Sequence, residues 1–200
     1  MTTAYIADTG VFVRCGGPGN EKFQRLRRAV RQAGVSLVVP QRVYEELGGD
    51  PAAEAYPSAN IPYPKGFEEG WIVVADELNY TDPLISTVMD DTRRWIANET
   101  DRDEDTVEKA DTALIGLAAQ LLDAGKSDDI VLLTTDKPAG NAAEALLPGH
   151  GFEGRNRVPL RERGIPRNDH RQRVPVNSLA ERATADTRSQ ELVLRRYRDA

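Results

Sequence analysis

Two apolar runs, Val35-Ser36-Leu37-Val38-Val39 and Ile130-Val131-Leu132-Leu133, constrain this chain more than any other feature. A strand with one wet face alternates polar and apolar side chains, because successive residues point to opposite faces. A run that does not alternate needs cover on both faces, as a parallel strand has between two helical layers. Apolar stretches at residues 4–8 (AYIAD) and 70–76 (GWIVVAD) fit the same role. Between these runs the spacing becomes helical. Phe23, Leu26, Val30 and Ala33 make one stripe over residues 21–33, closed by Gly34. Pro40 opens a short helix that reaches Leu47, and Asp82-Pro83 starts a helix over 83–98. Asp105 with Glu108 makes a capping-box start to a helix over 106–124. The strand 130–136 leads into a short helix near 139–147. This order predicts an α/β protein, a three-layer α/β/α sandwich with a mostly parallel sheet.

Composition sets the outer limits. The 200 residues, 40% of them hydrophobic, suit one domain with an ordinary core and an appendage. The chain has no apolar run of about 18 residues, so no membrane span is expected. The N-terminus enters a strand without the basic and apolar regions of a signal peptide, and the expected location is cytoplasmic. Cys15 is the only cysteine, which excludes an internal disulfide and a cysteine-based zinc site. The net charge of −6 is uneven: 14 basic and 25 acidic residues lie in 1–152, against 12 and 7 in 153–200. We therefore divide the chain into a folded domain, 1–152, and an Arg/Pro-rich basic C-terminal extension, 153–200, with a helix at 178–198. Residues 50–70 hold four prolines and read as a long loop. Arginine outnumbers lysine 21 to 5, which with abundant Ala and Asp points to a GC-rich genome such as a halophile's.

Against this frame, several carboxylates stand where apolar residues are expected. Asp8 interrupts the apolar stretch YIADTGVFV (5–13), and an ionised side chain buried there needs compensation. Asp8 and Asp136 end two of the predicted strands, on the edge where open α/β sheets collect their ligands. Asp111 lies within the apolar stripe of its helix: at about 100° per residue, Ala118 is about 20° away, Ile115 about 40° and Leu114 about 60°. By the same measure Glu46 is about 60° from Val43 and Glu45 about 160°, so Glu46 faces inward and Glu45 faces solvent. Four inward acids without a His or Cys partner suit a hard cation, Mg2+ or Mn2+. His150 and His170 are isolated and read as surface residues. The loop RCGGPGN (14–20) lacks the lysine and hydroxyl of a phosphate-binding loop and reads as a turn. Arg25, Arg27, Arg28 and Arg31 crowd the polar faces of helix 21–33, either as a solvated surface or as an RNA-phosphate face.

The segments YIADTGVFV, VPQRVYEEL, GWIVVAD, KADTALIGLAAQL and LLTTDKPAGNAAEALLPGHGF, taken in order, resemble PIN-domain ribonucleases, the group that includes VapC-type toxins. The likeness covers about residues 3–152. It implies a parallel sheet in the order 3-2-1-4-5, with acids gathered around Mg2+ or Mn2+ at its carboxyl edge. By motif it assigns Asp8, Glu46, Asp111 and Asp136 as the catalytic and metal-binding acids, with Thr9 and Thr134 supporting them. Gly10 departs from the pattern, since Asn or Ser is frequent there. That bears on a supporting hydrogen bond and leaves the acid set intact.

The activity implied is Mg2+- or Mn2+-dependent endoribonuclease action on single-stranded RNA. Its settings are a toxin with an antitoxin protein as partner, or housekeeping RNA processing, and a homodimer is common in such proteins. The other readings are a catalytically degenerate scaffold that binds RNA or protein, and a haloacid-dehalogenase-type phosphatase. The phosphatase needs a second acid two residues after the first, where this chain has Gly10.

Overall fold

The computed structural model describes residues 2–48 and 64–158. β1 (Thr3–Ala7) is the middle strand of a five-stranded sheet. β2 (Leu37–Val39) and β3 (Ile72–Val74) lie on one side of it, and β4 (Asp129–Leu133) and β5 (Asn156–Arg157) on the other. Every pairing is parallel and the order is β3-β2-β1-β4-β5, the arrangement that the resemblance implies.

Side chains of the central strands alternate between two cores. Tyr5, Ala7, Val131 and Leu133 enter one core with Phe12, Phe23, Leu26 and Val43. These come from α1 (Thr9–Cys15), α2 (Glu21–Ala33) and α3 (Gln41–Glu46), and α4 (Pro64–Glu68) adds Phe67 at the margin. Ile6, Ile130 and Leu132 enter the other with residues of α5 (Pro83–Thr100), α6 (Lys109–Asp123) and α7 (Lys137–Leu147). Both faces of the sheet are covered, so β4 is buried along its whole length. The unbroken apolar run at 130–133 has that cause.

The helix ends follow local chemistry. Asn20 caps α2 by accepting from Lys22 N at 2.9 Å, and Gly34 closes it in the left-handed region at φ 66°. Asp82 caps α5 through Leu84 N at 2.8 Å, with Pro83 at the first helical position as expected.

Other expectations are corrected. No helix was expected directly after the first strand, yet β1 stops at Ala7 and Thr9–Cys15 is helical. Asp8 turns the chain by capping α1, and Val11, Phe12 and Cys15 then recur at helical spacing on the buried side. α6 begins at Lys109, after a 3-10 turn at Glu104–Thr106, and its cap Glu108 makes no side-chain capping bond. The expected capping box is thus not formed. β5 follows Phe152, within the segment assigned to the extension, and its two polar residues carry no strand pattern to read. Within the expected loop 50–70, residues 64–68 form α4 and 69–70 lead into β3. The rest of that loop, and residues 159–200 with His170 and the expected helix 178–198, lie outside the described residues. Among the described residues, no helix is long and apolar enough to cross a membrane.

Candidate functional site

The register of β1 and β4 builds the first half of the site. Ala7 pairs with Leu133, so the residues that follow, Asp8 and Thr134, leave the sheet side by side at its carboxyl edge. The Asp8 amide still donates to Leu133 O at 3.0 Å, which carries the ladder to the turn. The Asp8 carboxylate is held at both oxygens. Oδ1 accepts from Val11 N at 2.8 Å, and Oδ2 accepts from Thr135 N at 3.0 Å and from the Thr134 hydroxyl. Burial raises the Asp8 pKa above the ordinary carboxylate range; these three donors oppose the rise and Asp136 adds to it. The compensation for its burial is therefore hydrogen bonding from backbone and hydroxyl groups, not an ion pair.

The other three acids approach from separate elements. Glu46 ends α3 and accepts from the Thr9 hydroxyl at the start of α1. Burial raises its pKa, Thr9 and Arg42 lower it, and Glu108 and Asp8 raise it. Arg42 pairs with Glu45 at 3.0 Å and also lies 3.7 Å from the Glu46 carboxylate. Asp136 caps α7 by accepting from Ala139 N at 3.2 Å, while its own amide donates to Thr134 Oγ1 at 3.0 Å. Asp111, in the first turn of α6, is pushed up to about 8, first by burial and then by Asp136, Glu108, Asp8 and Glu46. All four predicted acids thus act on one another at Asp111, together with a fifth, Glu108, which sequence reading spent on a capping box. No Lys or Arg among the described residues forms an ion pair with Asp8, Asp111 or Asp136.

The acids open into a cleft of about 490 Å3. Asp111, Glu108 and Asp136 form part of its wall, and Arg14, Arg102 and Lys137 form another part. Neither Arg14 nor Arg102 is ion-paired with a described residue. These cations were missed because no local spacing relates Arg14 and Arg102 to each other or to the acids across the cleft. The four arginines of α2 are not gathered here. Arg25 is bound to Glu21 at 2.6 Å. Arg27 grips Glu69 with two bonds of 2.7 and 2.6 Å, and Arg31 lies 4.0 Å from the same carboxylate. Glu69 precedes β3, so that pairing sits at the amino edge of the sheet, opposite the acids. Arg28 is exposed on the same helix.

A family model, the halobacterial PIN domain, matches residues 1–168. The chain belongs to the PIN-domain family. No curated protein and no solved structure matches significantly. PIN domains are generally nucleases and typically use divalent metals, which supports a hydrolase at a coarse level. The match also runs past Phe152 to include β5.

In chemistry and charge the donors of this PIN domain fit a divalent cation: clustered carboxylate oxygens, without His or Cys and without counter-cations on three of the four. Among the described residues, no three His, Cys, Asp or Glu side chains stand close enough together to hold an ion.

Proposed function

We propose that this PIN-domain protein is an endoribonuclease that cleaves single-stranded RNA with Mg2+ or Mn2+. The observation that carries this reading is geometric: Asp8, Asp111 and Asp136 come from separate elements, none is ion-paired among the described residues, and Asp111 and Asp136 line a cleft whose wall also carries Arg14 and Arg102, with burial and the neighbouring acids raising the Asp111 pKa. Like charges kept together in a partly buried site favour a cation. Asp8, Asp111 and Asp136 would hold the metal, with Glu46 completing the set. When bound, the ion supplies a water of lowered pKa and a Lewis acid for the phosphodiester.

The chain's own groups do the rest. Thr134, with the amides of Val11 and Thr135, fixes the Asp8 carboxylate, and Thr9 fixes Glu46. Arg14 and Arg102 draw backbone phosphates into a cleft that the acids alone would make repulsive. A single strand suits the site because its backbone and bases are accessible. The reading extends to a toxin in the cytoplasm, restrained by an antitoxin protein, with a homodimer as the assembly. Growth arrest on expression alone, relieved by a partner protein, supports the toxin role; unhindered growth opposes it.

The direct test is cleavage of an unstructured RNA. Cleavage in Mg2+ that EDTA abolishes is the expected result; binding without cleavage returns the protein to a non-catalytic scaffold. Arg14→Ala and Arg102→Ala are each expected to weaken single-strand binding about 3–10-fold at low salt and to flatten the salt dependence by up to about 0.7 in log–log slope. Arg25→Ala, whose guanidinium is engaged by Glu21, is the comparison. Equal losses from all three would assign the binding to overall charge and not to the cleft.

A further inference from the structure

Gly10, the second residue of α1, has helical neighbours and is not among the positive-φ glycines. Its backbone therefore does not require glycine, and glycine is a poor helix former. Space requires it. A Cβ on Gly10 would stand 2.1 Å from Thr135 Oγ1, with Thr135 Cβ and Asp8 Oδ1 each at 3.4 Å. The Thr135 hydroxyl fills the volume that any side chain at position 10 would need. Thr135 is fixed from its own backbone, whose amide holds Asp8 Oδ2 at 3.0 Å, and it lines the cleft with Asp111 and Asp136. No hydrogen bond to a described residue uses its hydroxyl, whereas that of Thr134 beside it is committed to Asp8.

We propose that Thr135 is a substrate-contacting residue that presents a free hydroxyl to the phosphodiester next to Asp8, and that Gly10 is the positioning residue that makes room for it. The two halves stand on different ground: the contact with substrate rests on the nuclease reading, whereas the steric pair does not.

A set of variants separates them. Thr135→Val keeps the shape and the amide bond to Asp8 but removes the hydroxyl. It is expected to lower kcat about tenfold, with the melting temperature within about 2 °C of wild type and the Mg2+ dissociation constant unchanged. Gly10→Ala is expected to lower the melting temperature by at least about 3 °C. Adding Thr135→Ala to it should restore the melting temperature but not kcat. Gly10→Ser with Thr135→Ala should restore both, since the serine hydroxyl takes the vacated place. A Thr135→Val protein with wild-type kcat overturns the substrate contact. A Gly10→Ala protein that melts with wild type overturns the steric pair. An inert wild type overturns the nuclease reading and the contact with it, while the melting series still decides the pair.

Discussion

Asp111→Asn is expected to lower Mg2+-dependent RNA cleavage at least about 100-fold and, in the same protein, to raise the melting temperature of the metal-free form at pH 8. The two effects share one cause. Asn keeps the shape of the side chain and removes a charge that burial, Asp136, Glu108, Asp8 and Glu46 all disfavour. Without metal that charge is a cost to the fold, so its removal stabilises. In the proposed site it would be a metal ligand, so its removal disables. A hundredfold loss corresponds to about 2.7 kcal/mol of transition-state stabilisation. Calorimetry in EDTA and a cleavage time course in Mg2+ measure the pair. Wild-type cleavage together with a lower melting temperature would mean that Asp111 is an ordinary structural acid. Asp8→Asn should behave differently. Its carboxylate accepts from two amides and a hydroxyl, and an amide group in its place must turn a donor toward donors. Each unmet donor costs about 1–3 kcal/mol, so Asp8→Asn is expected to lose stability as well as activity.

The metal-free protein is expected to lose stability as pH rises from about 5 to about 8.5, and Mg2+ is expected to restore it most at the upper end. The sign follows from proton binding. Asp111 has a folded-state pKa raised from 3.8 to about 8, and Asp8 and Glu46 are also raised. Between the unfolded and folded values the native state holds more protons than the unfolded chain, so stability falls with pH by up to about 1.4 kcal/mol per unit for each such group. The contribution is fully present below the unfolded value and lost as pH passes the folded one. A divalent ion binds the ionised acids, so its stabilising increment should grow with pH. Melting curves at pH 5.5, 7 and 8.5, with and without Mg2+, read both trends, and Asp111→Asn should flatten them. A metal-free melting temperature that rises across this range would contradict the account.

The sequence exposed the sheet because burial on both faces leaves an unmistakable apolar run, as at Ile130–Leu133. It singled out Asp8 and Asp136 by their place at strand ends, and Glu46 and Asp111 by their angle to apolar neighbours, with Asp111 among Leu114, Ile115 and Ala118 the plainest case. In the structure Asp136, Glu108, Asp8 and Glu46 all add to the upward shift at Asp111. What stayed hidden depends on three-dimensional neighbourhood. α1 was unreadable because seven residues after a strand, Thr9–Cys15, are apolar enough to continue it; only the capping bond of Asp8 marks the turn. β5 has two polar residues and no period. The pairing of Arg27 with Glu69 was invisible because the two lie 42 residues apart. Arg14 and Arg102 looked unremarkable because nothing in sequence relates them to one cleft. The Gly10–Thr135 contact joins α1 to the end of β4, and no local rule connects those positions.

Asp136→Asn tests the central claim most directly. Asp136 is exposed, and its one side-chain hydrogen bond among the described residues is the α7 cap to Ala139 N, which Asn maintains as well as Asp. The fold should therefore survive while a carboxylate is lost from the proposed metal site. With an unstructured RNA in Mg2+, the wild type is expected to cleave, EDTA to stop cleavage and Asp136→Asn to fall to background, while in EDTA the variant melts no lower than the wild type. Equal cleavage by the wild type and a folded Asp136→Asn protein would contradict the account.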